Sequence, residues 1–328
     1  MKFDFSKIKR KKILITGGAG FIGSNLSKRL IELDAEVSIF ILPNENLEKM
    51  NEIEDKIKII YGDLTSENDV NNAIKDKDFL FHLAWQTNLK KSMQNPRKDL
   101  ENDLIGLINI LECCRKNNPQ IKIVFPSTVS VVGIVNKIPC NEEVTENPLS
   151  IYEIHKLMAE KYLQMYFKNY GLKTCVLRLS NVFGEGQRID NPNRGVLNFM
   201  IGRALRGEEL TVYGKGDFIR DYSYVQNYID AFLLAALSNK TNGKIFVLGS
   251  GKGKTFNEVV EKVKKIVEEL TDKKVIITHI PFPTNENEIN KRDFIADFSR
   301  FKNDVGWMPR IGFEAGLRRT IKFYLGKI

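Results

Sequence analysis

Histidine and cysteine are scarce in this chain, with three histidines and four cysteines among 328 residues. Cys113, Cys114, Cys140 and Cys175 show no metal-ligand spacing, and the first two are adjacent in an apolar helical pattern, so buried thiols are expected and no metal centre. Long apolar runs are missing as well. The opening "MKFDFSKIKRKK" is charged and lacks the apolar stretch of a signal peptide, and no later run reaches the length of a membrane span. A cytoplasmic protein with no membrane partner is expected. The tightest basic run, Lys7 to Lys12, has no interleaved aromatics, so the pattern of a single-strand nucleic-acid binder is absent. The net charge of +9 comes largely from lysines interspersed with glutamates, which reads as a solvated surface with no nucleic-acid partner.

What is present is the composition of an ordinary globular protein, 42% hydrophobic and 28% charged, in a chain long enough for one large domain or two joined ones. Short apolar, β-branched runs recur at Lys12 to Thr16, Glu36 to Ile41, Ile57 to Tyr61, Asp78 to Leu83, Ile121 to Phe125 and Thr174 to Leu179. Between them lie helical patterns at Asn25 to Leu33, Glu67 to Lys75, Arg97 to Lys116 and Ile151 to Tyr170. Continuously apolar strands alternating with helices predict an α/β fold, a doubly wound parallel sheet covered on both faces. After Asn181 the rhythm breaks into a polar loop, a helix at Val196 to Arg206 and a short "LTVY" strand. "RDYSYVQNYIDAFLLAAL" then reads as a long apolar helix, and helices at Asn257 to Leu270 and Phe313 to Tyr324 flank a strand at Lys274 to His279. A division follows: a dinucleotide-binding domain over 1–180 with 217–248 returning to it, and a smaller interleaved α/β substrate domain over 181–328.

The first strand runs into Gly17-Gly18-Ala19-Gly20-Phe21-Ile22-Gly23 and then a helix. In that setting Gly17 permits the tight turn, Gly20 lets a pyrophosphate approach the backbone, and Gly23 lets the helix pack on the strand. The helix-start amides then face the phosphates, so a bound dinucleotide is predicted. Its adenosine ribose usually meets an acid at the end of the second strand, but Ile41 and Leu42 stand there and no arginine replaces it. Asn44 is the nearest side chain able to bond a ribose hydroxyl, or is simply a turn residue. NAD is favoured and NADP left open.

Motif by motif, the sequence resembles the extended short-chain dehydrogenase/reductases, in particular the nucleotide-sugar epimerases and dehydratases, over nearly the whole chain. "TGGAGFIGSNL" is like their cofactor turn, "YGDLT" like the strand end where Asp63 and Leu64 meet the adenine, and "FHLAWQ" like the strand end where Leu83 and Ala84 lie beside the cofactor ribose. "PSTVSVVG" followed by "YEIHK" resembles the catalytic segments. The resemblance implies a Rossmann fold, NAD held in part by Tyr152 and Lys156, and Thr128, Tyr152 and Lys156 as catalytic residues. Tyr152 and Lys156 are four apart in a helical stretch and so share a face; an ammonium and an oxidised nicotinamide nearby favour the phenolate, while Thr128 bonds the same sugar oxygen. His155, off that face, reads as an ordinary, partly exposed histidine. "LRLSNVFG" and "FIRDYSYV" resemble the segments that hold a nucleotide diphosphate, implying contacts from Asn181 and Arg220, and "LTVYG" implies that Thr211 and Tyr213 line the base site.

Several positions depart from that family. Val129 and Ser130 stand where dehydratases carry an Asp-Glu pair, which disfavours dehydration. Val132 replaces the usual tyrosine and Trp85 the usual second alanine, so the sugar pocket is reshaped. Asp103 occupies the place of an asparagine, with Asn102 before it. The late diphosphate arginine is off its customary spacing, leaving Lys291 or Arg292 as substitutes. The reading that follows is an NAD-dependent nucleotide-sugar epimerase, a homodimer through the helices at 97–116 and 151–170, acting at the sugar 4-position through a keto intermediate. Its rivals are a one-way 4-dehydrogenase or 4-ketoreductase and, more remotely, a 4,6-dehydratase or a non-catalytic cofactor sensor.

Overall fold

The structure, a computed structural model, describes residues 3–282 and 292–327. Its first half alternates strand and helix: β1 (Lys12–Thr16), α1 (Phe21–Glu32), β2 (Glu36–Ile41), β3 (Ile57–Tyr61), α2 (Glu67–Ile74) and β4 (Phe79–His82). There follow α3 (Leu89–Gln94), α4 (Pro96–Leu100), α5 (Gly106–Asn117), β5 (Lys122–Thr128), α6 (Ile151–Tyr170) and β6 (Lys173–Leu179). The second half adds β7 (Asn181–Phe183), α7 (Val196–Arg206), β8 (Leu210–Tyr213), β9 (Ile219–Tyr224), α8 (Val225–Leu237) and β10 (Lys244–Leu248). Last come β11 (Gly253–Thr255), α9 (Phe256–Leu270), β12 (Ile277–Ile280), α10 (Ser299–Val305) and α11 (Phe313–Leu325).

Seven strands form one parallel sheet in the order β10-β6-β5-β4-β1-β2-β3. Its interior is apolar on both faces, as continuously hydrophobic strands require. On one side Ile13, Ile15 and Ile39 pack with Leu26, Leu30 and Phe232 from α1 and α8. On the other, Leu14, Leu80 and Ile123 meet Val70, Leu107, Leu111 and Leu163 from α2, α5 and α6. This is the doubly wound α/β fold anticipated from the strand pattern. The chain order reverses between β1 and β4, and ligands of such sheets bind in the crevice at that point, beyond the strands' carboxyl ends.

The differences from the sequence pattern have local causes. "RDYSY" lies in strand β9, and the helix begins only at Val225, because the buried Asp221 carboxylate accepts hydrogen bonds from the amides of Ser250, Gly251 and Ala296 and ties the segment down as a strand. The single helix expected over 97–116 is interrupted by a π turn at Glu101–Ile105. The predicted strand at 274–279 is displaced to β12, where it pairs in parallel with β8. β10 carries no helical or alternating signal of its own, yet it closes the sheet beside β6. All four cysteines are buried free thiols. Among the described residues, no helix is long and apolar enough to cross a membrane.

Candidate active site

Gly17 takes φ +66°, a left-handed conformation that L side chains rarely adopt, and a Cβ there would stand 2.7 Å from the Ala84 amide nitrogen. A Cβ on Gly23 would stand 2.3 Å from Gly17 O. The turn is therefore closed to any larger residue. The ladder of α1 opens with Ser24 N donating to Gly20 O at 2.9 Å, so the amides of Phe21, Ile22 and Gly23 precede it at the positive end of the helix.

Thr16 links the two strands that flank the crevice. Its hydroxyl accepts the Ala84 amide (3.2 Å) and lies 2.8 Å from His82 Nδ1. His82 Nδ1 and the Thr16 hydroxyl share that hydrogen bond, which ties the ring on β4 to β1. Burial drives the His82 pKa down to about 3, and the positive Lys156 adds to that, so the ring is neutral. Leu83 N donates to Thr16 O and completes the seam on which Leu83 and Ala84 sit.

Asp63 is exposed beyond β3, with one carboxylate oxygen accepting the Thr65 amide and hydroxyl, both at 2.8 Å, and Leu64 follows it against α5. Asn44 is exposed on the turn closed by Glu45 N and Leu42 O, past β2. Buried Ile41 and half-exposed Leu42 leave the end of β2 without a carboxylate.

Thr128 ends β5, and Ser150 starts α6 by accepting the Glu153 amide, which brings Tyr152 and Lys156 to the same sheet edge. The Thr128 and Ser130 hydroxyls are 2.8 Å apart, and Ser130 N donates to Thr128 Oγ1. Lys156 Nζ donates to Pro126 O at 2.8 Å and lies 4.1 Å from the centre of the Trp85 ring and 4.2 Å from that of Phe125. Burial lowers the Lys156 pKa from the ordinary lysine range, against the pull of Asp103 and Glu160. Burial raises Tyr152, helped by Glu153, Asp103 and Asp99, while Arg292 draws it back.

His155 is not the partly exposed residue expected from the sequence. Only 5% of it is exposed, and its Nδ1 is 2.8 Å from Asp99 Oδ2, because α6 is packed against α4 along that face. Burial raises the Asp99 pKa, which the histidine opposes. Nor did sequence reasoning find Glu153. This buried carboxylate follows Tyr152, accepts the Leu149 amide, and accepts from Arg292 Nη1 at 2.9 Å.

The expected substrate residues divide between two places. Asn181 Nδ2 donates to Asp221 O, Arg220 lies 4.8 Å from the Phe218 ring, and burial lowers Arg220 to about pKa 10, with Arg292 pushing the same way. Arg292 also reaches Ser130 O at 3.4 Å. Arg292 therefore lies beside the Thr128–Tyr152 edge, with Arg220 close enough to feel its charge. Thr211 and Tyr213 lie on β8 of the separate β8–β12 sheet, where Tyr213 stacks on Phe282 at 5.9 Å. Lys291 lies outside the described residues.

The family model of the NAD dependent epimerase/dehydratase family matches residues 13–249. This chain belongs to that family. Within the NAD-dependent epimerase/dehydratase family it is 31% identical over 96% of its length to a UDP-N-acetyl-alpha-D-glucosaminuronate decarboxylase of Bacillus cytotoxicus, covering 98% of that protein. The structure of a UDP-glucose 4-epimerase from Thermotoga maritima with UDP-glucose is similar at 31% identity and a TM-score of 0.86, over 96% of this chain and 99% of that one. The UDP-glucose 4-epimerase of Thermus thermophilus in complex with NAD is similar at 30% identity and a TM-score of 0.84, over 97% and 100% of the two chains. NAD is the family's cofactor, and the present residues fit it. The glycine turn leaves open the space that a Cβ would fill, at a helix start between β1 and β4.

Proposed function

We propose that the protein is a nucleotide-sugar 4-epimerase, with residues 1–180 and 217–248 carrying the cofactor and 181–328 the nucleotide sugar. The observation that carries this reading is the company of Thr128. The position that holds a glutamate in dehydratases holds Ser130 here, whose hydroxyl is engaged with Thr128, and Val129 precedes it. The set Thr128, Tyr152 and Lys156 can move a proton on and off a sugar hydroxyl, but Val129 and Ser130, in the place of the dehydratase acids, cannot expel water.

Bound NAD supplies the hydride acceptor and donor. Gly17, Gly20, Phe21, Ile22 and Gly23 hold its pyrophosphate, while Asn44, Asp63, Leu64, Leu83 and Ala84 line its adenosine and ribose. Tyr152 takes the proton of the sugar 4-hydroxyl, and Thr128 donates a hydrogen bond to the same oxygen as it becomes a ketone. Lys156 holds positive charge next to that exchange, lowering the cost of the phenolate. Asn181, Arg220 and Arg292 bind the diphosphate, and Thr211 and Tyr213 the base, leaving the sugar free to present either face before Tyr152 returns the proton.

Incubation with UDP-, GDP-, CDP- and TDP-sugars, followed by NMR of the sugar, tests the proposal. Appearance of the 4-epimer with no net change in nicotinamide absorbance supports it. Net oxidation or reduction would indicate a one-way 4-dehydrogenase or 4-ketoreductase, and a decarboxylated or 6-deoxy sugar would overturn epimerisation.

The active form in this proposal is a homodimer. Leu107, Ile110 and Leu163 of α5 and α6 face the sheet, but Leu100, Ile105, Ile154 and Met158 are left exposed on the adjoining surface of α4, the π turn and α6. That apolar strip fits a symmetry-related copy of itself.

A further inference from the structure

Glu153 and Arg292 are 139 residues apart in sequence and in contact in the fold. Glu153 Oε1 accepts from Arg292 Nη1 at 2.9 Å, while Oε2 accepts the Leu149 amide at 2.7 Å, ahead of the first turn of α6. None of the Glu153 side chain is exposed, against 16% of the Arg292 side chain. A carboxylate leaves water only where charge and hydrogen bonds replace it, so the burial of Glu153 requires Arg292 in this place. The same contact fixes Arg292. Its bonds to Glu153 and to Ser130 O are both made through Nη1, and its Nε and Nη2 have no partner among the described residues. That Nε–Nη2 edge is the pair of parallel donors with which a guanidinium grips a phosphate or carboxylate.

The segment that carries Arg292 runs beside the start of β9. Asp293 Oδ1 accepts the Ile219 amide at 2.6 Å, and Phe294 N donates to Ile219 O at 3.1 Å. Arg220 follows Ile219, so the two arginines that the proposed function gives to the diphosphate adjoin. Two like charges drive each other apart unless negative groups offset them. Glu153 offsets Arg292, and Asp293 offsets Arg220.

We propose that Glu153 is a positioning residue for the nucleotide diphosphate: it holds Arg292 in place before the substrate arrives, with the Nε–Nη2 edge left for the ligand's phosphate oxygens. The proposal rests on the reading of Arg292 as a diphosphate residue. An arginine already fixed loses less freedom when its ligand binds, so the tether raises affinity without touching the ligand. The two influences of this carboxylate have opposite signs. By charge alone Glu153 repels a diphosphate, and its removal tightens binding; as a tether it favours the diphosphate, and its removal weakens binding. Glu153→Gln decides between them, because the amide oxygen still accepts the Leu149 amide while the ion pair is lost.

The test is calorimetric titration with UDP, GDP, CDP and TDP, without sugar or turnover. For the diphosphate that binds most tightly, Glu153→Gln weakens binding about tenfold, the size expected when a hydrogen bond to a charged group is lost. In an Arg292→Gln background the same substitution causes no further weakening, whereas a general loss of structure weakens both backgrounds alike. Unchanged or tighter binding in Glu153→Gln overturns the proposal, as does an equal loss in both backgrounds. Should Glu153→Gln not fold, Glu153→Asp decides, since it keeps the charge and draws the carboxylate back by one methylene: weaker binding supports the tether and unchanged binding overturns it. Failure of all four diphosphates to bind the unaltered protein overturns the nucleotide-sugar reading together with the tether, and so is told apart from failure of the tether alone.

Discussion

Arg178 on β6 and Glu160 on α6 form a two-pronged ion pair inside the protein, Nε to Oε1 at 3.0 Å and Nη2 to Oε2 at 2.6 Å, with 1% and 0% of the side chains exposed. Glu146 adds a third contact to Nη2 at 2.7 Å. Removing one member of a buried pair leaves the other charge without its partner, which costs several kcal/mol. Glu160→Gln is expected to lower the unfolding free energy by roughly 3 kcal/mol in urea titrations, the surviving Glu146 contact keeping the loss at the low end of that range.

Acid stability carries the signature of His82. Its folded pKa of about 3 lies below the ordinary value of 6.5, so between those values the unfolded chain binds a proton that the folded one does not. Stability therefore falls as pH falls from 6.5 toward 3, by at most about 1.4 kcal/mol per pH unit from this group. His82→Gln flattens that slope. Thermal unfolding of both proteins from pH 7 to pH 4 measures it, and parallel curves would remove the assignment.

Tyr152→Phe keeps the ring and loses the proton carrier. Turnover of the accepted nucleotide sugar is expected to fall by about 10²- to 10⁴-fold, the usual share of a positioned acid/base group. NAD content, read from absorbance after denaturation, separates the two roles of Tyr152: a variant that keeps its NAD and loses turnover has lost the proton carrier alone.

Gly23→Ala places a methyl group 2.3 Å from Gly17 O and 2.8 Å from the Gly18 backbone, none of which can yield without moving the turn. NAD affinity measured by calorimetry is expected to drop at least about tenfold. Gly312→Ala, where a Cβ meets nothing within 4 Å, leaves it unchanged.

Ile154→Glu puts a charge in the middle of the exposed apolar strip of α6. Sedimentation velocity at micromolar concentration is expected to show a dimer for the unaltered protein and a monomer for the variant. A monomer in both cases removes the dimer from the proposed function.

The parallel sheet was legible because its interior strands are apolar on both faces, as at Ile13 to Ile15 and Ile121 to Phe125, and the glycine turn because strand, glycines and helix are contiguous. The order and spacing of several motifs together pointed to Thr128, Tyr152 and Lys156, and the structure puts Thr128 at the end of β5 and the other two on α6. What escaped depends on partners distant in the chain. The Asp99 that buries His155, the Gln86 amide that turns Asp103 inward, and the loop amides that hold Asp221 and so make β9 a strand leave no mark in local periodicity. Trp85 and Asp103 stood out only as departures from family pattern, and the contacts of Trp85 with Lys156 and of Asp103 with the Gln86 amide are tertiary events.

The place of β10 has a consequence for synthesis. β6 ends at Leu179 and its outer neighbour begins at Lys244, so roughly 65 residues separate them, about 3 to 13 s of translation. During that interval the nascent sheet offers the unpaired backbone of β6 to any passing strand. The half-built sheet thus keeps its last hydrogen-bonding edge open until Lys244 and the residues after it are made, and truncation between the two strands leaves that edge permanently open.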